Sequence, residues 1–288
     1  MKNIHYIIML AIFILVKTIS PSLSQDSNHA QKIIVLGPDL SDIVYKLGAE
    51  DRVIALDRSS HFLLNAHDKV NVGYARRLST EGILSLDFDL IIASNSMGPP
   101  ETVDMLKESG ANILFVTAEN TRNGIIEKIT TIAKKLELVD QGENLKNEVL
   151  ADFDDAVAYA NKVPLNERKK VVFFHGAGQL NAAGKNTNAD AFIEYAGAIN
   201  PFNTYNGYKP VTREALLLAA PDVILAISNG KGGPAIDDVL SNDALDGTPA
   251  AINKAVIIID DPYMIGVGFG PRTGAALKKL TRALYYKP

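Results

Sequence analysis

Thr80-Glu-Gly-Ile-Leu-Ser-Leu-Asp-Phe-Asp-Leu-Ile-Ile-Ala93 reads as a short helix followed by a buried strand. Ser79 or Thr80 can cap the helix, and Ile83, Leu84 and Leu86 give it an apolar side. Leu90 to Ala93 is apolar at every position, as in a parallel strand covered on both faces. The same pattern returns later: Arg213-Glu214 is followed by Leu217 and then Asp222-Val-Ile-Leu-Ala226, with the glutamate-to-aspartate interval of Glu81 and Asp89 repeated. Two homologous α/β lobes are the reading that explains both copies.

The rest of the chain falls into place around these two units. Lys32 to Leu36, Arg52 to Leu56 and Ile113 to Val116 are further strands, with a helix opened by Asp39 or Ser41 and another from Glu101 to Ser109. Residues 32–120 therefore form one lobe. Between Gly124 and Asn161 the apolar residues recur at helical spacing with charges between them, so 121–163 is a linking segment of one long helix or two abutting helices. Strands resume at Lys170 to Phe174, Asp222 to Ala226 and Ala255 to Ile259, with a helix ending near Tyr195 and an amphipathic helix from Gly274 to Tyr285. Residues 164–288 form the second lobe.

The N-terminus differs in character. Lys2 precedes an apolar run from Ile4 to Val16, and Ser22-Leu-Ser24 offers small residues where a signal peptidase acts, so residues 1–24 read as a cleaved export signal. Its loss removes Lys2 and Lys17 and no acid, which deepens the net charge of −4 and disfavours nucleic acid as a partner. The absence of cysteine excludes disulfides, thiolate metal sites, cysteine nucleophiles and a lipidated anchor, leaving a soluble periplasmic protein as the expectation.

Chemistry concentrates in the loop before the first repeat unit. Gly73 frees the backbone to display Tyr74, and Arg76 and Arg77 follow it. Tyrosinate is a hard anionic donor suited to ferric iron, and tyrosine is one of the known axial haem ligands. A neighbouring cation such as Arg76 favours the phenolate, while Arg77 and Arg272 have the planar fork that pairs with ligand carboxylates. His175 follows an apolar strand; His61 and His67 show no ligand spacing with it, which argues against a zinc or manganese site. Gly266-Val-Gly-Phe-Gly270 lacks a dinucleotide-binding context, and no nucleophile elbow or phosphate loop is present.

Together, Val72-Gly-Tyr-Ala-Arg-Arg-Leu-Ser-Thr-Glu-Gly82, Gly98-Pro-Pro100, Ala183-Gly-Lys-Asn-Thr187 with Ala189-Asp190, Gly207-Tyr-Lys-Pro210 and Gly268-Phe-Gly-Pro-Arg-Thr273 resemble the periplasmic haem-binding proteins of bacterial ABC importers. These are class III, helical-backbone substrate-binding proteins. The resemblance runs from about Lys32 to the C-terminus. It implies two Rossmann-like lobes with mostly parallel sheets joined by a long backbone helix, ferric haem held through Tyr74 with Arg76 beside the phenolate, and no catalysis. It also implies docking on an inner-membrane ABC permease through Glu81 and Glu214, with His175 as a candidate second ligand. A monomer is expected. Apolar contact with the porphyrin would come from loop residues such as Met97, Met264 and Phe269. The alternatives are the same fold binding a ferric siderophore or a corrinoid and, further off, an exported α/β enzyme.

Overall fold

In a computed structural model of the chain, residues 30–175, 180–227, 236–259 and 268–286 are described. The first lobe runs β1 (Ile33–Leu36), α1 (Pro38–Lys46), β2 (Val53–Leu56), β3 (Val70–Asn71), α2 (Thr80–Leu84), β4 (Leu90–Ala93), α3 (Pro100–Glu108) and β5 (Ile113–Phe115). Its five strands are all parallel, in the order β3-β2-β1-β4-β5. Two helices follow, α4 (Arg122–Lys135) and α5 (Val139–Ala160). The second lobe contains β6 (Val171–His175), β7 (Asn181–Ala183), α6 (Asn188–Tyr195), β8 (Tyr208–Pro210), α7 (Arg213–Ala219), β9 (Val223–Ile227), α8 (Ile236–Leu240), α9 (Pro249–Ile252), β10 (Val256–Ile259) and α10 (Thr273–Tyr285). Its sheet is ordered β10-β9-β6-β7-β8, with β10, β9 and β6 parallel and β7 and β8 antiparallel.

Continuous apolar strands are needed because both faces of each sheet are covered. Ile33, Val35, Leu90 and Ile92 of the first sheet join Val171, Phe173, Val223 and Leu225 of the second in a single core, completed by Ile125 and Ile129 of α4, Val149 and Phe153 of α5, and Leu277 and Leu280 of α10. The alternate residues, such as Ile34 and Ile91, or Val172 and Ile224, fill a separate outer core in each lobe. The lobes thus share one interior through the linking helices.

The linking segment is two helices, and the break has a visible cause. Glu137 takes a left-handed conformation, φ 58°, and the Leu138 N–H returns to the Ala133 carbonyl at 2.8 Å. The two helices then pack so closely that a Cβ on Gly142 would stand 2.5 Å from the Ala133 methyl. The second, of 22 residues, spans about 33 Å and forms the spine of the molecule. Helix α1 starts earlier than its capping residues suggested: Pro38 takes the first helical position, which suits its fixed φ, and Ser41 Oγ instead donates to the Gly37 carbonyl. Among the described residues no helix is long and apolar enough to cross a membrane.

Charged pairs tie the C-terminal segment to the first lobe. Lys128 of α4, nearly buried, donates to Asp39 at 2.5 Å and to the Phe269 carbonyl at 3.0 Å. Arg272 Nε donates to both oxygens of the buried Asp42 at 3.0 and 3.2 Å. Burial pushes the Asp42 carboxyl up, and the charge and hydrogen bond of Arg272 pull it back.

Candidate ligand cleft and docking helices

In the first sheet every strand points the same way, so the loops after β1, β3 and β4 open on one edge, where open α/β sheets hold ligands. The loop after β3 is built rigidly. Asn71 Oδ1 accepts from the Gly73 N–H at 2.9 Å, and Gly73, at φ 87°, accepts through its carbonyl from Arg58 at 2.7 Å. The Arg77 N–H closes a tight turn on the Tyr74 carbonyl at 2.8 Å. On the far flank, Gly98 donates to the Ala75 carbonyl and accepts from the Leu78 N–H, both at 2.9 Å, and Leu78 is sunk in the outer core. These bonds hold the two ends of the loop, and its side chains face outward: Arg76 and Arg77 are exposed and Tyr74 is 55% exposed.

The second lobe brings a residue that sequence reading quoted but gave no role. Tyr208 of β8 stands edge-on to Phe173, ring centroids 6.4 Å apart, and is 42% exposed. Burial pushes its phenol up, while a hydrogen bond with Thr187 and the positive charge of Arg76 act the other way. Its strand is three residues long, too short to show a period, and the phenol's partners come from other parts of the chain.

Other predicted site residues are distributed differently. Arg272 lies against Asp42 rather than in the Tyr74 loop. His175 ends β6 and pairs through its backbone with Asn181; residues 176–179 beyond it, like Met264, lie outside the described residues. Phe269 is fully buried among Phe153, Phe192 and Tyr195, so it belongs to the shared core and offers no ring to a ligand. Met97 is also buried, in the outer core of the first lobe. Beside α6 a polar cavity of about 840 Å³ is lined by Glu119, Lys185, Thr187, Asp190 and Glu194, among others. Burial, then the charge of Asp190, raises the Glu194 carboxyl. Among the described residues no group of three or more His, Asp or Glu side chains could hold a metal ion.

The duplicated units match in atomic detail. Ser79 Oγ caps α2 by accepting from Gly82, and Thr212 Oγ1 caps α7 by accepting from Ala215, so Glu81 and Glu214 are each the second helical residue and each exposed. At the strand that follows, Asp89 Oδ2 accepts from the Lys32 N–H at 2.8 Å and Asp222 Oδ2 from the Lys170 N–H at 2.7 Å. Each aspartate also donates its own N–H to the same lysine's carbonyl, at 2.8 Å in both lobes. The Glu214 carboxyl is held below the usual range by its own backbone N–H and the Thr212 hydroxyl.

Two doubly covered sheets on a helical spine define a two-lobed protein of the helical-backbone class of periplasmic binding proteins. Residues 33–263 match the model of the Periplasmic binding protein family, and the chain belongs to it. Among solved structures it is similar to the periplasmic heme-binding protein RhuT from Roseiflexus sp. RS-1, at 32% identity and a TM-score of 0.80 over 89% of this chain and 98% of that one. It is similar to the heme-binding protein HutB of Vibrio cholerae at 29% identity and a TM-score of 0.77, over 90% of this chain and all of that one. Among curated proteins, a Vitamin B12-binding protein of Vibrio campbellii is 28% identical over 68% of this chain and 70% of its own length. A Cobalamin-binding protein of Halobacterium salinarum is 25% identical over 78% of this chain, which spans 58% of that protein's length.

Proposed function

We propose that this chain is an exported receptor, freed of residues 1–24, that captures ferric haem in its interlobe groove and delivers it to an inner-membrane ABC permease. The observation that carries the reading is Tyr74: a phenol more than half exposed on a loop held by backbone bonds at Gly73, Arg77, Leu78 and Gly98, with Arg76 and Arg77 exposed beside it. Fixing the loop before the ligand arrives lowers the ordering cost of binding. In this reading the phenolate coordinates the iron, and Arg77 pairs with a propionate. Tyr208 approaches from the second lobe, and His175 is the candidate for the sixth position. Arg272 is assigned to the Asp42 tie and not to the ligand. The likeness to heme-binding proteins at about a third identity over nearly their whole length supports haem as cargo. Nothing in this role requires bond-making catalysis.

A corrinoid is the second reading, favoured by the B12-binding relatives. Titration calorimetry with hemin and, separately, with cyanocobalamin distinguishes the two. Stoichiometric hemin binding at micromolar or lower concentration with no cobalamin heat is expected. The reverse pattern would assign the groove to corrinoids.

A further inference from the structure

The arginines of the chain divide into two groups. Arg52, Arg122, Arg168, Arg272 and Arg282 each engage a carbonyl, a carboxylate, an amide or a ring. Among the described residues, the guanidiniums of Arg58, Arg76, Arg77 and Arg213 have no hydrogen bond, ion pair or ring contact. Arg213 opens α7 beside Glu214; the other three gather at one place. Arg58 begins the short turn after β2, is exposed, and donates its N–H to the Gly73 carbonyl at 2.7 Å, so its backbone abuts that of the residue before Tyr74. The acid next to it is already in use. Asp57 is fully buried, and its carboxylate accepts from the Gly37 N–H at 3.1 Å, from the Ser59 N–H at 3.0 Å and from the Ser60 hydroxyl. These donors weld the turn to the loop after β1, and the carboxylate makes no ion pair with Arg58. A single exposed arginine is ordinarily a solvated one. Three unpaired guanidiniums around one displayed phenol, on a chain of net charge −4, mark a place built for an anion.

We infer that Arg58 is part of the cargo site and pairs with the second carboxylate of haem, as Arg77 pairs with the first. The inference rests on the haem reading above and adds to it a residue and a rule of selection. Haem carries two propionates, and the planar guanidinium fork matches a carboxylate in a way that an ammonium does not. The side chains of a corrin ring are largely neutral amides, which give a pair of guanidiniums no charge to meet. Arg58 and Arg77 thus sort dianionic tetrapyrroles from corrinoids by charge, while Tyr74 takes the metal. The bond between Arg58 and Gly73 sets the two loops side by side before the ligand arrives, which lowers the ordering cost of binding. Water displaced by the porphyrin then strengthens each pair.

The test compares ferric hemin with its dimethyl ester, which keeps the iron and the ring and lacks both negative charges, by titrating each into the purified protein. The wild type is expected to bind hemin about a hundred-fold more tightly than the ester. Arg58→Gln should cut that preference about ten-fold, weakening hemin and leaving the ester unchanged, with the tyrosinate-type spectrum and the circular dichroism retained. Arg58→Lys, which keeps the charge and loses the fork, should fall between the two. The inference is overturned if Arg58→Gln binds hemin within two-fold of the wild type, or if it weakens hemin and the ester equally, which would make Arg58 a support of the loop alone. A wild type that binds neither compound through Tyr74 would instead remove the haem reading, and this inference with it.

Discussion

At the scale of single residues, the molecule separates groups that hold the fold from groups that face outward. Asp89 belongs to the first kind: the backbone N–H groups of Lys32 and Gln31 donate to its carboxylate and hold it below the usual carboxylate range. Its folded value being depressed, the stability it contributes is present above the ordinary aspartate value of about 4 and is lost as pH falls through the lower folded value. Asp89→Asn should therefore shallow the acid limb of a plot of urea midpoint against pH while leaving the neutral region nearly flat. An unchanged acid limb would show that the tether is inert. The exposure of Tyr74, Arg76 and Arg77 was legible in the sequence because Gly73 and the paired arginines mark a displayed loop. Arg272 was not: its partner Asp42 is 230 residues away, and only the folded chain brings the carboxylate to it.

Elements show the same division between local and tertiary information. Strands such as β1, β4 and β9 are apolar at every position, and the helix-then-strand units at Glu81 and Glu214 carry caps that can be read residue by residue. By contrast β3, β7 and β8 are two or three residues long and owe their strand pairing to neighbours, so no periodicity announces them. The break between α4 and α5 is likewise set by a left-handed glutamate, a residue without special conformational freedom. Helix α4 also supplies Lys128, whose ammonium is taken out of water between Asp39 and the Phe269 carbonyl. Lys128→Met leaves the carboxylate and the carbonyl without their donor and is expected to cost about 3 to 5 kcal/mol in chemical denaturation. Adding Asp39→Asn should recover part of that loss. A single variant as stable as the wild type would mean that the pair does not hold the C-terminal segment to the first lobe.

For the whole molecule, one core running through both lobes and the linking helices implies limited freedom between the lobes, so capture depends on a groove largely formed in advance. Hemin binding should then leave the overall dimensions nearly unchanged: small-angle scattering of the free and loaded protein is expected to give radii of gyration equal within error, and a contraction of several per cent would instead indicate domain closure. The tyrosine loop runs directly into α2: the buried Leu78 is all that separates Arg77 from the capping Ser79. Tyr74 is the residue we propose takes the cargo's metal. Adding ferric hemin to the purified protein and recording its absorption spectrum tests this most directly. The wild type should give a high-spin tyrosinate-type spectrum that Tyr74→Phe abolishes, with affinity reduced at least a hundred-fold and the folded circular dichroism retained. An unaltered spectrum in Tyr74→Phe, or no hemin spectrum in the wild type, would contradict the account.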